Sequence, residues 1–471
     1  MDCSHINKRG IAFCVMLCFC LSFFSCKQKP LGDNVSSSTS AFYGWKTGMA
    51  KAIITPADSI WMAGYAARQE PGKEVMHDLW AKSFVIEDAN GKRGVLIATD
   101  LIGFTREISG RIKKQIKEKY GLSEEQVILN SSHTHSGPVL EGSLTDIYPA
   151  DIYKDDRIIS YTRNLEKQIV ALAGEALKSL KPSRIYFGNG VSRFQVNRRN
   201  NAEKNIELLT QLQGPNDYAV PVIKVTDLND NVGAVLFGYA CHPTVLSGYS
   251  WSGDYAGFAQ MELERKYPAV QAMFFQGACG DQNPVPRRSV PLAMQYGLTL
   301  AASVERVMEE NMIELKPDLK MAYSCVDLPF DELPARTTLE KTMEESTVNY
   351  HKRWAERMLT ILENEGSFMS SYPYPVQVWS MGDIPVIALG GEVVIEYAIN
   401  MKRKYGPNAF VMGYCNDVMG YIPSKTILEE GGYEGETSQM AYGLPAKWSE
   451  KIEPMIYAEV DKLMIAVELL E

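Results

Sequence analysis

The chain has 471 residues, and 48 Lys and Arg against 57 Asp and Glu give a formal net charge of −9. Hydrophobic residues make up 45% and charged residues 22%, which are ordinary globular proportions and exclude a collagen-like, low-complexity or wholly disordered chain. An acidic chain without basic clusters lacks the Lys/Arg footprint that phosphate backbones require. Nucleic acid is therefore not an expected substrate or partner.

The N-terminus has the pattern of a targeting segment. A short basic region precedes an apolar run from Ile11 to Phe24, which is shorter than the roughly 20 residues of a membrane span. The run leads to Cys26 in a setting that resembles a bacterial lipobox, where Cys26 would carry the lipid anchor. We predict a lipoprotein signal at residues 1–26 and a flexible tether at residues 27–42, with an ordinary secretory signal as the alternative. Both interpretations place the mature protein outside the cytoplasm. A lipoprotein signal would in addition anchor it to a membrane, in the periplasm or at the cell surface.

The first elements beyond the tether form a strand–helix–strand series. Hydrophobic patterns predict strands over Met49–Ile54, Trp80–Glu87 and Gly94–Thr99, a helix over Thr105–Tyr120, and a buried strand over Val127–Asn130. A helix between two buried strands is typical of a βαβ unit, in which the strands run parallel.

The alternation continues to the C-terminus. Further helices are expected over Tyr161–Leu180, Gly257–Tyr267, Val290–Glu310 and Pro454–Leu470, and further strands over Arg184–Phe187, Ala234–Tyr239, Ala272–Gln276 and Ala409–Gly413. An edge strand is predicted at Leu319–Leu328, a single long charged helix at Leu339–Glu365, and a hairpin from Val376–Ser380 and Pro385–Leu389. No composition break marks a domain boundary. The predicted fold class is α/β: one large domain with a mixed or mostly parallel sheet flanked by helices.

Three histidines share one kind of setting. His133 and His135 follow the buried strand Val127–Asn130, and His242 follows the strand Ala234–Tyr239 and precedes a proline. Loops beyond the carboxyl ends of strands are where open α/β sheets bind ligands, and a His-x-His pair places two imidazoles on one side of an extended chain. We predict a metal site from these residue types; the alternative is three hydrogen-bonded polar residues near the surface.

Three other residues follow predicted strands. Glu392 comes after two glycines at the start of a helix, either as a ligand or as a carboxylate that interacts with the helix dipole. Tyr421 lies in a turn after Ala409–Gly413, where packing competes with a ligand role. Cys279 lies among small residues and has no evident base partner, so we expect a buried thiol rather than a nucleophile.

Several of these segments resemble, in order along the chain, the neutral (non-lysosomal) ceramidases, which are zinc-dependent amidases. The specific string is Ser132-His133-Thr134-His135-Ser136-Gly137-Pro138. It is accompanied by Gly48-Met49-Ala50, Met62-Ala63-Gly64-Tyr65, Asp78-Leu79-Trp80-Ala81, Asn197-Arg198, His242-Pro243-Thr244, Gly280-Asp281, Gly391-Glu392 and Tyr421-Ile422.

The resemblance implies a site as well as a family. In that family zinc is held by the residues that match His133, His242, Glu392 and Tyr421, while the matches of His135 and Arg198 line the substrate site. The implied protein is a zinc-dependent hydrolase of N-acyl amide bonds that uses metal-activated water, with residues 43–471 as its catalytic domain. Its substrate would be a small-molecule, lipid or glycan acyl compound.

Two departures from the family put ceramide itself in question. Asn283 stands where ceramidases carry a catalytic serine; an amide is no nucleophile or general base, although it can donate to an oxyanion. Only about 50 residues follow Tyr421, too few for the family's C-terminal immunoglobulin-like domain of about 100 residues. We expect an active hydrolase of a substrate other than long-chain ceramide. The alternatives are a glycan or peptide deacylase or esterase, with Trp251 as one candidate platform, and a non-catalytic lipid- or glycan-binding lipoprotein.

Overall fold

Two β-sheets pack face to face in the computed structural model, and helices cover the outer surface of each. The structure describes residues 43–208 and 210–470, so the predicted signal at 1–26 and tether at 27–42 lie outside the described residues. Residues Phe42–Glu471 form one compact unit. The apolar layer between the sheets includes Phe84 and Phe275 from one sheet and Trp379 from the other, all buried.

The larger sheet has nine strands, one of which is the short strand Ile313–Glu314. The others, numbered in chain order, are Trp45–Ile53 (β1), Trp80–Glu87 (β2), Arg93–Thr99 (β3), Val127–Ser131 (β4), Lys181–Val191 (β5), Ala219–Thr226 (β6), Val232–Tyr239 (β7) and Gln271–Gln276 (β8). Their order across the sheet is β8–β7–β6–β5–β1–β2–β3–β4. Only β3–β4 and β7–β8 are parallel pairs, so the sheet is mixed, one of the two arrangements predicted.

The second sheet has four strands: Leu319–Pro329 (β9), Ser371–Met381 (β10), Ile384–Leu389 (β11) and Phe410–Met412 (β12), in that order. β9 is an edge strand, as predicted. β10 and β11 form the predicted hairpin, whose turn contains Gly382 with a φ of 61°. β11 and β12 are parallel, so their carboxyl ends lie at the same edge.

Ten α-helices lie within the described residues: Arg106–Tyr120 (α1), Asp156–Lys178 (α2), Asp254–Lys266 (α3), Val290–Glu309 (α4), Arg336–Glu345 (α5), Asn349–Glu365 (α6), Ile395–Tyr405 (α7), Lys425–Glu430 (α8), Gln439–Tyr442 (α9) and Ile452–Ala466 (α10). α1 to α4 pack on the larger sheet, and α7 and α10 on the smaller. None of the described helices is both long and apolar enough to span a bilayer.

Helix α1 shows how the sequence sets an element. The side chain of Thr105 accepts a hydrogen bond from the backbone N–H of Ile108, and Gly121 ends the helix in the left-handed conformation. Ile108, Ile112 and Ile116 recur at four-residue steps and are fully buried. α1 connects the parallel strands β3 and β4, which confirms the predicted βαβ unit.

The single helix predicted over Leu339–Glu365 is wrong, because the structure has two helices there, α5 and α6. The break comes at Ser346, whose backbone is extended (φ −62°, ψ 135°) and whose hydroxyl accepts from the N–H of Val348 at 3.2 Å. Serine hydroxyls compete in this way with the helical ladder. The predicted α/β fold class, with sheets flanked by helices in one domain, is confirmed.

Candidate metal centre

The carboxyl ends of β4, β7, β8 and β12 meet at one end of the two sheets and are joined there by two buried side-chain amides. The side chain of Asn130, in β4, donates to the carbonyl of Gly413 at 2.8 Å and accepts from the N–H of Gln276 at 2.9 Å. The Gln276 side chain donates to the carbonyls of Ser132 and Cys241, at 2.9 and 3.0 Å. The loop after β4 is thereby fixed relative to the loop after β7.

These loops carry His133 and His242, which are buried and hydrogen-bonded to the backbone. Nδ1 of His133 lies 2.6 Å from the carbonyl oxygen of Ile102, and Nδ1 of His242 lies 2.8 Å from that of Cys279. Because a carbonyl only accepts, each Nδ1 carries a proton, and each ring is fixed with its Nε2 pointing away from that carbonyl. Both Nε2 atoms face the same carboxylate.

That carboxylate belongs to Glu392, which follows β11 after Gly391, a glycine with a φ of 73°. Its Oε2 lies 3.2 Å from Nε2 of His133 and 3.0 Å from Nε2 of His242. Its Oε1 accepts a hydrogen bond from the hydroxyl of Tyr442. Two imidazole Nε2 atoms and one carboxylate therefore meet at one point, which is buried.

The donor set fits a zinc ion. Two imidazoles and a carboxylate are zinc ligands, and tetrahedral bonds of about 2.1 Å place ligand atoms about 3.4 Å apart, close to the separations at Glu392. Burial lowers the pKa of His242 to about 4, so its imidazole is neutral at pH 7. Nε2 of His242 has no hydrogen-bond partner of good geometry among the described residues. A buried lone pair without a partner is what a metal ligand supplies.

His135 brings a third imidazole to the same place. Its Nε2 lies 3.3 Å from Nε2 of His133, and the nitrogens of His133, His135 and His242 lie close enough together to hold one metal ion. Burial, and then the neighbouring histidines, lower the pKa of His135 well below its usual range. The ring packs against Tyr65, with centroids 4.8 Å apart. His135 is thus a neutral imidazole at the edge of the site.

Arg198 joins the remaining predicted residues to each other. Its guanidinium donates to the Tyr421 hydroxyl at 3.0 Å, to Oδ1 of Asn283 at 3.3 Å and to the Glu434 carboxylate at 2.7 Å. Burial disfavours its charge, but Tyr421 and Glu434 raise the pKa of Arg198 well above its usual value. A charged guanidinium is therefore held beside the histidines; the rings of Tyr421 and His242 are stacked 6.5 Å apart.

The structure brings all seven predicted site residues together, while their individual roles stay predictions. Cys279 is buried, and its thiol donates to the Tyr414 hydroxyl at 3.2 Å. Trp251 is 3% exposed and packs in the core, so it offers no substrate platform.

Sequence reasoning missed four contributors: Tyr414, Tyr442, Glu434 and Asp281. Buried Asp281 accepts from the Asn197 amide at 2.8 Å and from the N–H of Ile395 at 2.9 Å, which links the segments of Arg198 and Glu392. The Gly280-Asp281 motif was the one sequence signal for Asp281. The tyrosines and Glu434 reach the site only through tertiary contacts.

A model of the neutral/alkaline non-lysosomal ceramidase N-terminal region matches residues 45–287. The chain belongs to this ceramidase family. Among curated relatives, a neutral ceramidase of Pseudomonas aeruginosa is 26% identical over 323 residues, covering 62% of this chain and 46% of that protein. Neutral ceramidase B of Dictyostelium discoideum is 27% identical over 274 residues, covering 54% of this chain and 37% of its own length. The chain thus matches less than half the length of these relatives.

A solved structure extends the likeness in fold beyond residue 287. The crystal structure of the Pseudomonas aeruginosa neutral ceramidase superposes with a TM-score of 0.68 at 21% identity, covering 91% of this chain and 75% of that one. At this identity the similarity concerns the fold. The similarity in fold is therefore not confined to residues 45–287.

Proposed function

We propose that this chain is a zinc-dependent hydrolase that cleaves N-acyl amide bonds with metal-activated water. The observation that carries the proposal is the approach of two imidazole Nε2 atoms to one buried carboxylate oxygen, at 3.0 and 3.2 Å. Membership in the ceramidase family supports an amide as the bond that is cleaved.

His133, His242 and Glu392 would hold the ion, and Tyr421 is the fourth candidate ligand. A bound zinc ion lowers the pKa of a coordinated water towards about 7 and polarises an acyl carbonyl. Carbonyl acceptors on both histidine Nδ1 atoms fix the orientation of the rings, as the partners of metal-bound histidines do in other proteins.

Arg198 and His135 would act on the substrate. Arg198 remains charged and oriented by Glu434, so it can stabilise the negative charge that develops on the carbonyl oxygen. His135 is neutral and its Nε2 lies 3.3 Å from Nε2 of His133, so it can take a proton from the attacking water and pass it to the departing amine.

Asn283 would serve as a donor rather than as a base. Its Oδ1 accepts from Arg198, which leaves the amide N–H₂ to face the substrate. That arrangement provides an oxyanion donor without requiring a serine.

The ligand assignment is tested by His133→Ala and His242→Ala, with His351→Ala on α6 as the matched control. Purified proteins are loaded with zinc, dialysed and analysed for bound metal, then assayed on N-acyl and O-acyl substrates. We expect the first two variants to lose the metal and turnover, and the control to keep both. Full zinc occupancy in both site variants would overturn the assignment of His133 and His242 as ligands. A metal-loaded wild type that cleaves no acyl substrate would support the alternative of a non-catalytic binding protein.

We also propose that the protein is exported and anchored through Cys26. The support is the lipobox-like sequence that ends the apolar run. Expression in a bacterium fed a labelled fatty acid should give a labelled wild-type protein and an unlabelled Cys26→Ser variant. Release of unlabelled wild-type protein from the cells would favour the ordinary secretory signal.

A further inference from the structure

A polar cavity adjoins the candidate metal centre on the side of Arg198 and Asn283. Its volume is about 550 Å³, and charged and amide side chains form most of its wall. Beyond Arg198 and Asn283 these are Arg199, Asn201, Glu203, Arg287, Glu430 and Glu434. Any substrate group next to the scissile bond on this side meets guanidinium, carboxylate and amide groups.

The charges of this wall cancel. Arg198 and Arg199 both pair with Glu434, at 2.7 and 2.8 Å, and Arg199 also pairs with Glu430 at 2.9 Å. Arg287 pairs with Glu203. Three arginines therefore face three glutamates, so the cavity has no net charge with which to select an ionic group. It has instead donors and acceptors next to each other.

Such a wall fits hydroxyl groups better than an alkyl chain. A hydroxyl can donate to a carboxylate and accept from a guanidinium. The hydroxyls of a bound ligand can therefore take over the hydrogen bonds of the water molecules that they displace. An alkyl chain displaces that water without replacing its hydrogen bonds, and unpaired polar groups disfavour binding.

One aromatic ring completes the wall. Tyr433 is 42% exposed, and its ring centroid lies 5.3 Å from that of Tyr421. An exposed aromatic face beside hydrogen-bonding groups suits the apolar face of a sugar ring.

We propose that the substrate group bound in this cavity is a neutral polyol, and that the substrates are N-acylated amino sugars. N-acylated amino sugars join an amide directly to a neutral polyol that carries several hydroxyls. The inference rests on the proposed amidase function and names its substrate class.

The substrate class is tested with zinc-loaded full-length protein on N-hexanoylglucosamine and N-hexanoylsphingosine, which share one acyl chain. We expect kcat/KM to be at least roughly tenfold higher for the amino sugar. Equal or faster cleavage of the sphingosine amide would overturn this inference and leave the amidase function standing. Cleavage of neither compound, nor of any other amide, would overturn the amidase function itself.

The cavity wall is tested with Glu203→Leu and Glu430→Leu, both outside the histidine cluster. Each removes an acceptor for sugar hydroxyls, so KM for the amino sugar should rise roughly five- to tenfold while kcat stays within about twofold. The matched control is Glu118→Leu, an exposed glutamate on α1 that should change neither. An unchanged KM in both cavity variants, with the fold and zinc content intact, would overturn the assignment of this cavity to the polyol.

Discussion

The side-chain amide of Gln276 donates to the carbonyls of Ser132 and Cys241, one in each loop that carries a proposed histidine ligand. Gln276 is fully buried at the end of β8. This side chain therefore connects the two loops, in addition to the backbone hydrogen bond from the His135 N–H to the Pro243 carbonyl.

Replacing this amide should weaken metal binding as well as stability. Gln276→Leu leaves the buried carbonyl of Ser132 without a donor and that of Cys241 with the Tyr255 hydroxyl alone, which should lower the free energy of unfolding by about 1–3 kcal/mol. The affinity for zinc should fall roughly tenfold or more, because the two loops lose the hydrogen-bond donor that they share. Chemical denaturation and zinc titration measure these effects.

The matched control is Gln377→Leu. Gln377 is also fully buried and donates to the carbonyl of Glu125 at 2.8 Å, but it lies in β10 and contacts neither histidine loop. It should lose stability and keep its zinc affinity. An equal loss of affinity in both variants would mean that general destabilisation accounts for the effect of Gln276.

Tyr442 is expected to orient the Glu392 carboxylate. Its hydroxyl donates to Oε1, which directs Oε2 towards His133 and His242. Tyr442→Phe should keep the fold and lower zinc affinity about 10- to 100-fold, as loss of a ligand's hydrogen-bond partner does in other metal sites. Tyr397→Phe, which removes a buried hydroxyl bound to the carbonyl of Pro423, is the control and should not change zinc affinity. Equal affinity in wild type and Tyr442→Phe would assign the tyrosine to packing alone.

Much of this arrangement could be predicted from the sequence, because its signals are local. The HTH string and the HPT segment each follow an apolar strand, and Glu392 follows a strand and two glycines. Strand ends determine where such residues gather. The apolar periodicity that placed α1 is equally local.

The remaining features depend on contacts between distant segments. Tyr442 reaches Glu392 across 50 positions, and Arg198 reaches Glu434 across 236. No periodicity encodes such a pair. The relative direction of the strands also depends on distant segments, since β1 pairs with β5 across more than 100 residues. The sequence patterns therefore did not distinguish a mixed sheet from a mostly parallel one.

Gly64 provides a test of whether His135 is a ligand or a proton carrier. A Cβ at this position would lie 2.4 Å from Nδ1 of His135, so Gly64→Ala must displace the ring. We expect a loss of turnover of at least about 100-fold with the zinc content retained. Loss of zinc together with activity would instead make His135 a ligand.

The control for Gly64→Ala is Gly91→Ala. Both glycines have positive φ, 101° and 81°, but no atom lies within 4 Å of a Cβ at position 91. The control therefore imposes a similar backbone strain without touching the site. Activity and metal content should stay at the wild-type level.

Lys113 on α1 should make stability depend on pH. It is buried, its Nζ has no hydrogen-bond partner among the described residues, and burial lowers its pKa to about 8. Because the folded pKa is below the unfolded value of 10.5, the folded state binds the proton less tightly. The resulting penalty, about 3 kcal/mol, is fully present below pH 8 and disappears as the pH rises through 10.5.

Lys113→Met should therefore stabilise the protein by about 1–3 kcal/mol at pH 7 and by less at pH 10. Urea unfolding at the two pH values measures the difference, with exposed Lys114→Met as the control. A gain that is the same at both pH values would exclude the buried charge as its cause.

Asn283 decides between an active hydrolase and a silent relative of the ceramidases. If water activated at the metal attacks the acyl carbonyl, the residue at position 283 assists and forms no covalent bond. Arg198 donates to Oδ1 of Asn283 at 3.3 Å, and in the proposed reaction the Asn283 N–H₂ would act as an oxyanion donor. Asn283→Leu should then lower kcat by about 10²–10³-fold with zinc content unchanged, the effect of removing one such donor. Asn283→Ser should retain more activity than Asn283→Leu. The wild type should be active without this substitution. If the wild type cleaves no acyl substrate and the Asn283→Ser variant hydrolyses ceramide, the protein is instead a catalytically inactive relative of the ceramidases.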